Sequence, residues 1–287
     1  MSGLLRIEKG RKYNPPRVII HGSEGIGKTT FGASAPSPIF IQTEDGVDEI
    51  GADRFPLSKN LKDVWESLKV LSEEKHEYKT VVLDSLDWTE QLIWQHICES
   101  DRVATIEQAR GGYGKGYIAA ARLFKDLLER LQKLRDNRGM TIIMTAHSKV
   151  EKFEDPEHAP YDRYSPRLHK HSNALVCEWA DAILFATRKM RVNKEDGGFG
   201  RSRGTATGLG KTVGGDRIMR VTGSPSAVAK NRYGLQHDLP LEWSSFVDAV
   251  IDSASNGTIK GDDAGVPDVV TDHVESSDVL VDSFVVS

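Results

Sequence analysis

Residues 22–30 read GSEGIGKTT and meet the pattern G-x-x-x-x-G-K-[ST] at every fixed position. Each fixed residue has a chemical reason. The glycines let backbone N–H groups curl around phosphate oxygens. The lysine ammonium reaches the terminal phosphates, and the threonine hydroxyl can ligate Mg²⁺. The stretch therefore predicts a nucleotide cradle of Gly22, Ser23, Glu24, Gly25, Ile26, Gly27, Lys28, Thr29 and Thr30. ATP is the expected nucleotide and Mg²⁺ the expected metal, held by Thr29 and by Asp84. Asp84 ends the apolar run TVVLD (80–84), the pattern of a strand that delivers a carboxylate beside the loop and holds the ion through water. Hydrolysis also needs a group to polarise water. The run IFIQTEDG supplies Glu44 as the catalytic candidate, with Asp45 as its competitor and a solvated acidic loop as the other reading. After TIIMT comes AHS, which places His147 where it can sense the γ-phosphate; a lone histidine is also commonly structural.

These groups need a scaffold that brings several chain segments to one edge. RVIIH (17–21), PIFIQ (38–42), TVVLD (80–84), TIIMT (141–145) and AILFA (182–186) are short β-branched apolar runs, as expected of strands buried on both faces of a parallel sheet. Helical periodicity lies between them. Leu61, Val64, Trp65, Leu68 and Leu71 share one face, with Asn60 as N-cap, and Phe124, Leu127, Leu128, Leu131 and Leu134 share another, with Gly139 placed to stop the helix. Both stripes read as core packing. The expectation is an α/β fold: a P-loop NTPase core at 15–254 with a mainly parallel central sheet flanked by helices and a C-terminal hairpin. A short extension precedes it at 1–14, and a flexible acidic tail follows at 255–287.

Three stretches depart from the alternation. ARGGYGKGY (109–117) is a glycine-rich loop with two tyrosines. Residues 148–172 read as a long polar connection. Residues 193–216 read as the tip of a hairpin leading into RIMRVTG, and the GLGKT within them lacks the first glycine of a phosphate loop. The chain has 287 residues, 38% hydrophobic and 28% charged, with no run approaching bilayer length. Its two cysteines suggest free thiols in a reducing cytoplasm rather than a disulfide framework. The net charge of −4 conceals an asymmetry: residues 188–232 carry eleven Lys/Arg against three acids, and the segment from Asp252 onward carries eight acids and one lysine. Such a distribution fits either a polyanion-binding protein or solvated loop faces. His158, His169, His171 and Cys177 have loose spacing and no CxxC companion, which argues against zinc.

The order of phosphate loop, FIQTEDG, VVLDS and a strand ending in a polar sensor resembles the RecA/RadA recombinase ATPases. It is closer still to phage-encoded RecA-like ATPases that act in single-strand annealing or recombination. The resemblance implies Glu44 as catalytic base, Asp84 and Ser85 as the metal-side pair, and His147 as sensor, where RecA has glutamine. KNRYG (230–234) resembles a RadA-branch motif. By that likeness Lys230 and Arg232 act in trans on a neighbour's nucleotide, so the partner is a second copy of the chain in a ring or filament. A basic turn or a DNA-phosphate contact is the alternative. In such folds two loops hold single-stranded DNA. The comparable segments here offer Arg110, Tyr113, Lys115 and Tyr117, then Arg163, Tyr164, Arg167, His169 and Lys170. Cations would neutralise phosphates and tyrosines would stack on bases. Tyrosines packing the next helix is the competing reading. A cognate single-strand-binding protein is a further partner implied by resemblance, and no membrane partner is expected. Other readings are a nucleotide-gated annealing module without turnover, a small-molecule kinase, and a helicase loader or packaging motor.

Overall fold

The computed structural model describes residues 14–46, 50–155, 159–189 and 215–259. The elements in chain order are β1 (Arg17–Gly22), α1 (Lys28–Ala33), β2 (Pro38–Gln42), β3 (Asp53–Arg54), α2 (Leu61–Glu73), β4 (Thr80–Asp84) and α3 (Leu86–Asp101). A 3-10 turn at Ala109–Gly111 leads into α4 (Lys115–Arg138). Then come β5 (Thr141–Phe153), β6 (Tyr161–Pro166), α5 (Lys170–Trp179), β7 (Ala182–Arg188), β8 (Arg217–Arg220), β9 (Lys230–Asn231), β10 (Leu239–Pro240) and α6 (Trp243–Ile259). The sheet order is β10-β8-β7-β1-β5-β4-β2-β3, with β6 added to β5 and β9 to β7. The centre is parallel: β1 pairs with both β5 and β7, and β4 joins β5 to β2. The antiparallel pairs are β7–β8, β8–β10, β7–β9 and β5–β6.

Side chains alternate across a strand, so each apolar run feeds two cores. Ile19, Ile41, Val81, Leu83, Ile142 and Met144 face one side, where they meet the buried stripes of α2, α3 and α4. Val18, Ile20, Phe40, Val82, Ile143 and Leu184 face the other, against Phe31 of α1 and Phe246, Val247 and Val250 of α6. A three-layer α/β architecture follows. Gly32 shows how tightly α1 lies on the sheet: a β-carbon there would sit 2.8 Å from Val82 Cγ1. The caps follow the sequence. Asn60 accepts from Lys62 and Asp63 amides in a capping box, and Gly139 ends α4 with φ 66°.

Two expectations need revision. β5 does not end at Thr145 but continues to Phe153, and residues 148–153 pair with β6 alone. The expected polar connection at 148–172 is thus a two-stranded ribbon followed by α5. Its alternating polar pattern was masked by charge, because both faces of a ribbon can be wet. The Gly-rich stretch 109–117 is shorter than expected as a loop, since α4 starts at Lys115. The hairpin tip expected at 193–216, with its GLGKT, lies almost wholly outside the described residues, as do the extension at 1–13, His158 and the tail beyond Ile259. The strands flanking that tip, β7 and β8, do pair antiparallel. Among the described residues no helix is long and apolar enough to cross a membrane.

Candidate functional site

The parallel strands β1, β2 and β4 end at the same edge, where β5 passes His147 before running on to Phe153, and most of the predicted chemistry meets there. A cavity of about 370 Å³ is lined by Glu24, Gly25, Gly27, Lys28, Thr29, Thr30, Glu44, Asp45, Gly46, Ile50, Asp84, His147 and Arg217. The loop between β1 and α1 can fold this way because Gly25 (φ 66°) and Gly27 (φ 113°) take left-handed backbone. No side chain caps α1, so the first amides of the helix remain for an anion. The Lys28 ammonium curls back onto the carbonyls of Gly22 (3.3 Å) and Ser23 (3.0 Å). Burial pulls its pKa below the ordinary lysine value, and the carboxylates of Asp84, Asp87, Glu44 and Glu24 oppose that pull. A cation held in a glycine cradle and facing a cluster of carboxylates fits a metal–triphosphate, which carries charge of both signs.

Of the predicted cradle, Glu24, Gly25, Gly27, Lys28, Thr29 and Thr30 line the cavity. Gly22 and Ser23 instead supply carbonyls to Lys28, and Ile26 is buried in the core beneath. Asp84 is buried and accepts from the Thr145 hydroxyl through Oδ1. Glu44 is half-buried; Ser85 Oγ donates to it at 3.2 Å, and His147 Nδ1 lies 3.8 Å away, beyond hydrogen-bond distance. The Thr43 hydroxyl donates to the Ser85 carbonyl, which ties β2 to the β4–α3 junction.

His147 does more than line the cavity. Its backbone N–H donates to Asp87 Oδ1 and its ring Nδ1 lies 3.0 Å from Asp87 Oδ2. A carboxylate only accepts, so Nδ1 carries the proton. Arg167, the residue after β6, grips the same Asp87 through Nη2 at 2.6 Å and Nε at 3.2 Å. Burial works to raise the pKa of Asp87, but the bonds from His147 and Arg167 outweigh it and hold the carboxyl well below its usual range. Asp87 and Arg217 were not predicted as site residues, and Arg167 was expected on a DNA-facing loop rather than beside the nucleotide cavity. A trace of Asp87 was present in SLDWTEQL, because Asp87 and Glu90 fall three apart on the buried face of α3. Arg217 left no local trace.

A second polar junction lies under the loop. His21, fully buried, accepts from Ser148 Oγ at Nδ1 and donates to the Val228 carbonyl at Nε2 (2.7 Å). Burial lowers its pKa to about 4, so the ring is neutral.

Lys230 and Arg232 do not line this cavity. They sit at the start of β7, where β9 pairs with Ala182 and Ile183. Lys230 Nζ donates to the carbonyls of Cys177 and Glu178, capping the C-terminal end of α5. Arg232 donates to Asp181 Oδ1 (3.2 Å) and to the Glu178 carbonyl (3.0 Å). Asp181 is shared with Arg17 and Arg135. The Arg232 side chain is 53% exposed.

The predicted DNA-facing residues divide. Tyr113 is 97% exposed, and Tyr164, on β6, is exposed on one side while stacking on Phe185 on the other. Tyr117 is packed, with its ring stacked on His169 at 4.1 Å. Arg110, Arg163 and Arg167 are ion-paired with Asp101, Glu151 and Asp87.

Two comparisons add to this geometry. A protein from Bacillus subtilis (strain 168) described as an SPbeta prophage-derived uncharacterized protein is 27% identical over 174 residues; the match covers 58% of this chain and 49% of the relative, so the chain spans about half its length. A family profile described as "AAA domain" matches residues 14–233. That range takes in the phosphate loop, both carboxylate-bearing strands, the histidine strand and the whole parallel sheet, and the chain accordingly belongs to this AAA-domain family and is a P-loop ATPase.

Proposed function

We propose that this chain is a phage-encoded, Mg²⁺-dependent, oligomeric ATPase of RecA-like type that binds single-stranded DNA in recombination or strand annealing. The observation that carries this reading is the bonded path from the cavity to the β5–β6 ribbon. His147 lines the nucleotide cavity, Asp87 holds His147, and the same Asp87 holds Arg167 at the foot of the ribbon. Occupancy of the cavity can thereby bias the ribbon, as a nucleotide-controlled DNA grip requires. The prophage-derived relative supports a phage setting.

Each residue then has a task. Lys28 and the loop amides bind the phosphates. Thr29 and Asp84, both hard oxygen donors, would hold Mg²⁺, which when bound neutralises phosphate charge. Glu44, oriented by Ser85, polarises the attacking water. The Tyr113 and Tyr164 rings offer stacking platforms, each worth about 1–3 kcal/mol to a base. Val150, paired across from Tyr164, widens the apolar face, and Lys115 and Lys170 supply charge. Lys230 and Arg232 serve a neighbour's nucleotide, and the half-exposed guanidinium at Arg232 leaves room for that.

The test is ATP hydrolysis by purified protein with and without an oligonucleotide, together with particle mass by light scattering under the same conditions. Turnover stimulated by single-stranded DNA, with growth in mass on adding ATP, is the expected result. No hydrolysis in either condition and no oligonucleotide binding would refute the proposal.

A further inference from the structure

The cavity has two ends, set by the strand order. Glu44, Asp45, Asp84 and His147 come from β2, β4 and β5, on one side of β1; Arg217 comes from β8, two strands away on the other side. Neighbouring strands lie about 4.8 Å apart, so the two ends are separated by well over the length of one phosphate group. Lys28 sits between them. The reacting phosphate belongs at the carboxylate end, where the water-polarising and metal-holding groups are. The opposite end is left for the α-phosphate and the nucleoside.

Arg217 is built into that end. It is the first residue of β8, anchored by its carbonyl, which accepts from the Leu241 amide, and by pairing with Arg188. Its guanidinium lies over the peptide of Gly27: a β-carbon there would sit 3.1 Å from Arg217 Nη1, and 3.5 Å from Leu241. Gly27 is required for its φ of 113°, and Arg217 and Leu241 pack closely over it. Among the described residues no carboxylate pairs with Arg217, and its side chain is exposed to the cavity. It differs in this from Arg17, Arg135, Arg163, Arg167 and Arg232, which are all bound to acids.

We infer that Arg217 is a nucleotide-binding residue acting within its own chain, gripping the α-phosphate end of the bound nucleotide. A planar guanidinium can donate two parallel bonds to one phosphate, and among the described residues no carboxylate is ion-paired with it. Because ADP and ATP share that end, Arg217 contributes equally to both and takes no part in the bond-breaking step. The inference rests on the P-loop ATPase assignment and extends it to a residue outside the phosphate loop.

The experiment is calorimetric titration of the full chain with ADP, and separately with ATP in the presence of EDTA, for wild type, Arg217→Ala, Arg217→Lys and Arg220→Ala. Losing a charge-assisted contact should raise both Kd values by about 10–100-fold in Arg217→Ala. Arg217→Lys should fall between, since a point charge replaces a fork. Arg220→Ala, outside the cavity, should match wild type. Saturating ATP should restore kcat in Arg217→Ala while KM stays raised. ADP affinity within twofold of wild type in both Arg217 variants would overturn the inference, as would a loss confined to ATP, which would place the guanidinium on the γ-phosphate. Thermal melting of the nucleotide-free variants separates a folding defect from a binding one, and Arg217→Lys carries the test if Arg217→Ala does not fold. Wild-type protein that bound neither nucleotide would instead overturn the family-level reading along with this one.

Discussion

Replacing Asp87 with asparagine tests the path between cavity and ribbon. Asp87 is 5% exposed and accepts four bonds: from the His147 amide, from the His147 ring, and two from Arg167. Asparagine keeps one acceptor oxygen, which can still serve the His147 amide. Its NH₂ group would then face the Arg167 guanidinium and the His147 Nδ1–H, donor against donor. Breaking one side of a buried ion pair costs about 3–5 kcal/mol. The Arg167 side chain is 46% exposed, so water recovers part of its loss and the expected cost is nearer 2–3 kcal/mol. Urea unfolding of nucleotide-free protein at pH 7, followed by tryptophan fluorescence, measures it. The pH dependence gives an independent check. Because the folded pKa of Asp87 is depressed, its contribution is present in full above its unfolded value of about 3.9 and is lost as pH falls below that value toward the folded one. The gap between wild type and Asp87→Asn should hold steady from pH 5 to 8 and close in stronger acid. An Arg167→Ala background should shrink the effect, with a coupling of about 1–2 kcal/mol. A cost below about 0.5 kcal/mol at pH 7, or a gap that widens on acidification, would refute the reasoning.

Lys28→Ala should abolish nucleotide binding by fluorescent-ADP titration, and Glu44→Gln should retain binding while losing steady-state hydrolysis; hydrolysis at the wild-type rate in Glu44→Gln would pass the role to Asp45. Arg232→Ala should spare nucleotide binding yet reduce turnover in a manner that depends on protein concentration, and normal hydrolysis at every concentration would leave Arg232 with only its bonds to Asp181 and the end of α5. The pKa of His21 is lowered from 6.5 to about 4, so the unfolded chain binds the extra proton first and stability attributable to the neutral ring falls as pH drops from 6.5 toward 4. His21→Gln, which can keep both hydrogen bonds, should flatten that decline in urea titrations, by at most about 1.4 kcal/mol per pH unit.

The sequence alone determined the phosphate loop and the sheet that carries it. Gly25, Gly27, Lys28 and Thr29 are legible because their chemistry is local: the backbone freedom, the cation and the hydroxyl fall within a few consecutive residues. β2 and β4 were legible to their ends because a strand buried on both faces reads as an apolar run, here closed by the polar Gln42 and Asp84. Asn60 and Gly139 were legible because caps are also local. The site's wider frame was not. Asp87 reads as an ordinary acid in the first turn of a helix until tertiary packing buries it and presents His147 and Arg167 from β5 and the end of β6. Arg217 lies 190 residues from Gly27 in the chain, and only the antiparallel addition of β8 beside β7 brings its guanidinium over the loop. The continuation of β5 past His147 depended on a partner strand that its own residues do not reveal. Contacts between distant segments are chosen by how the layers close, and that choice is made by the whole core rather than by any stretch of chain.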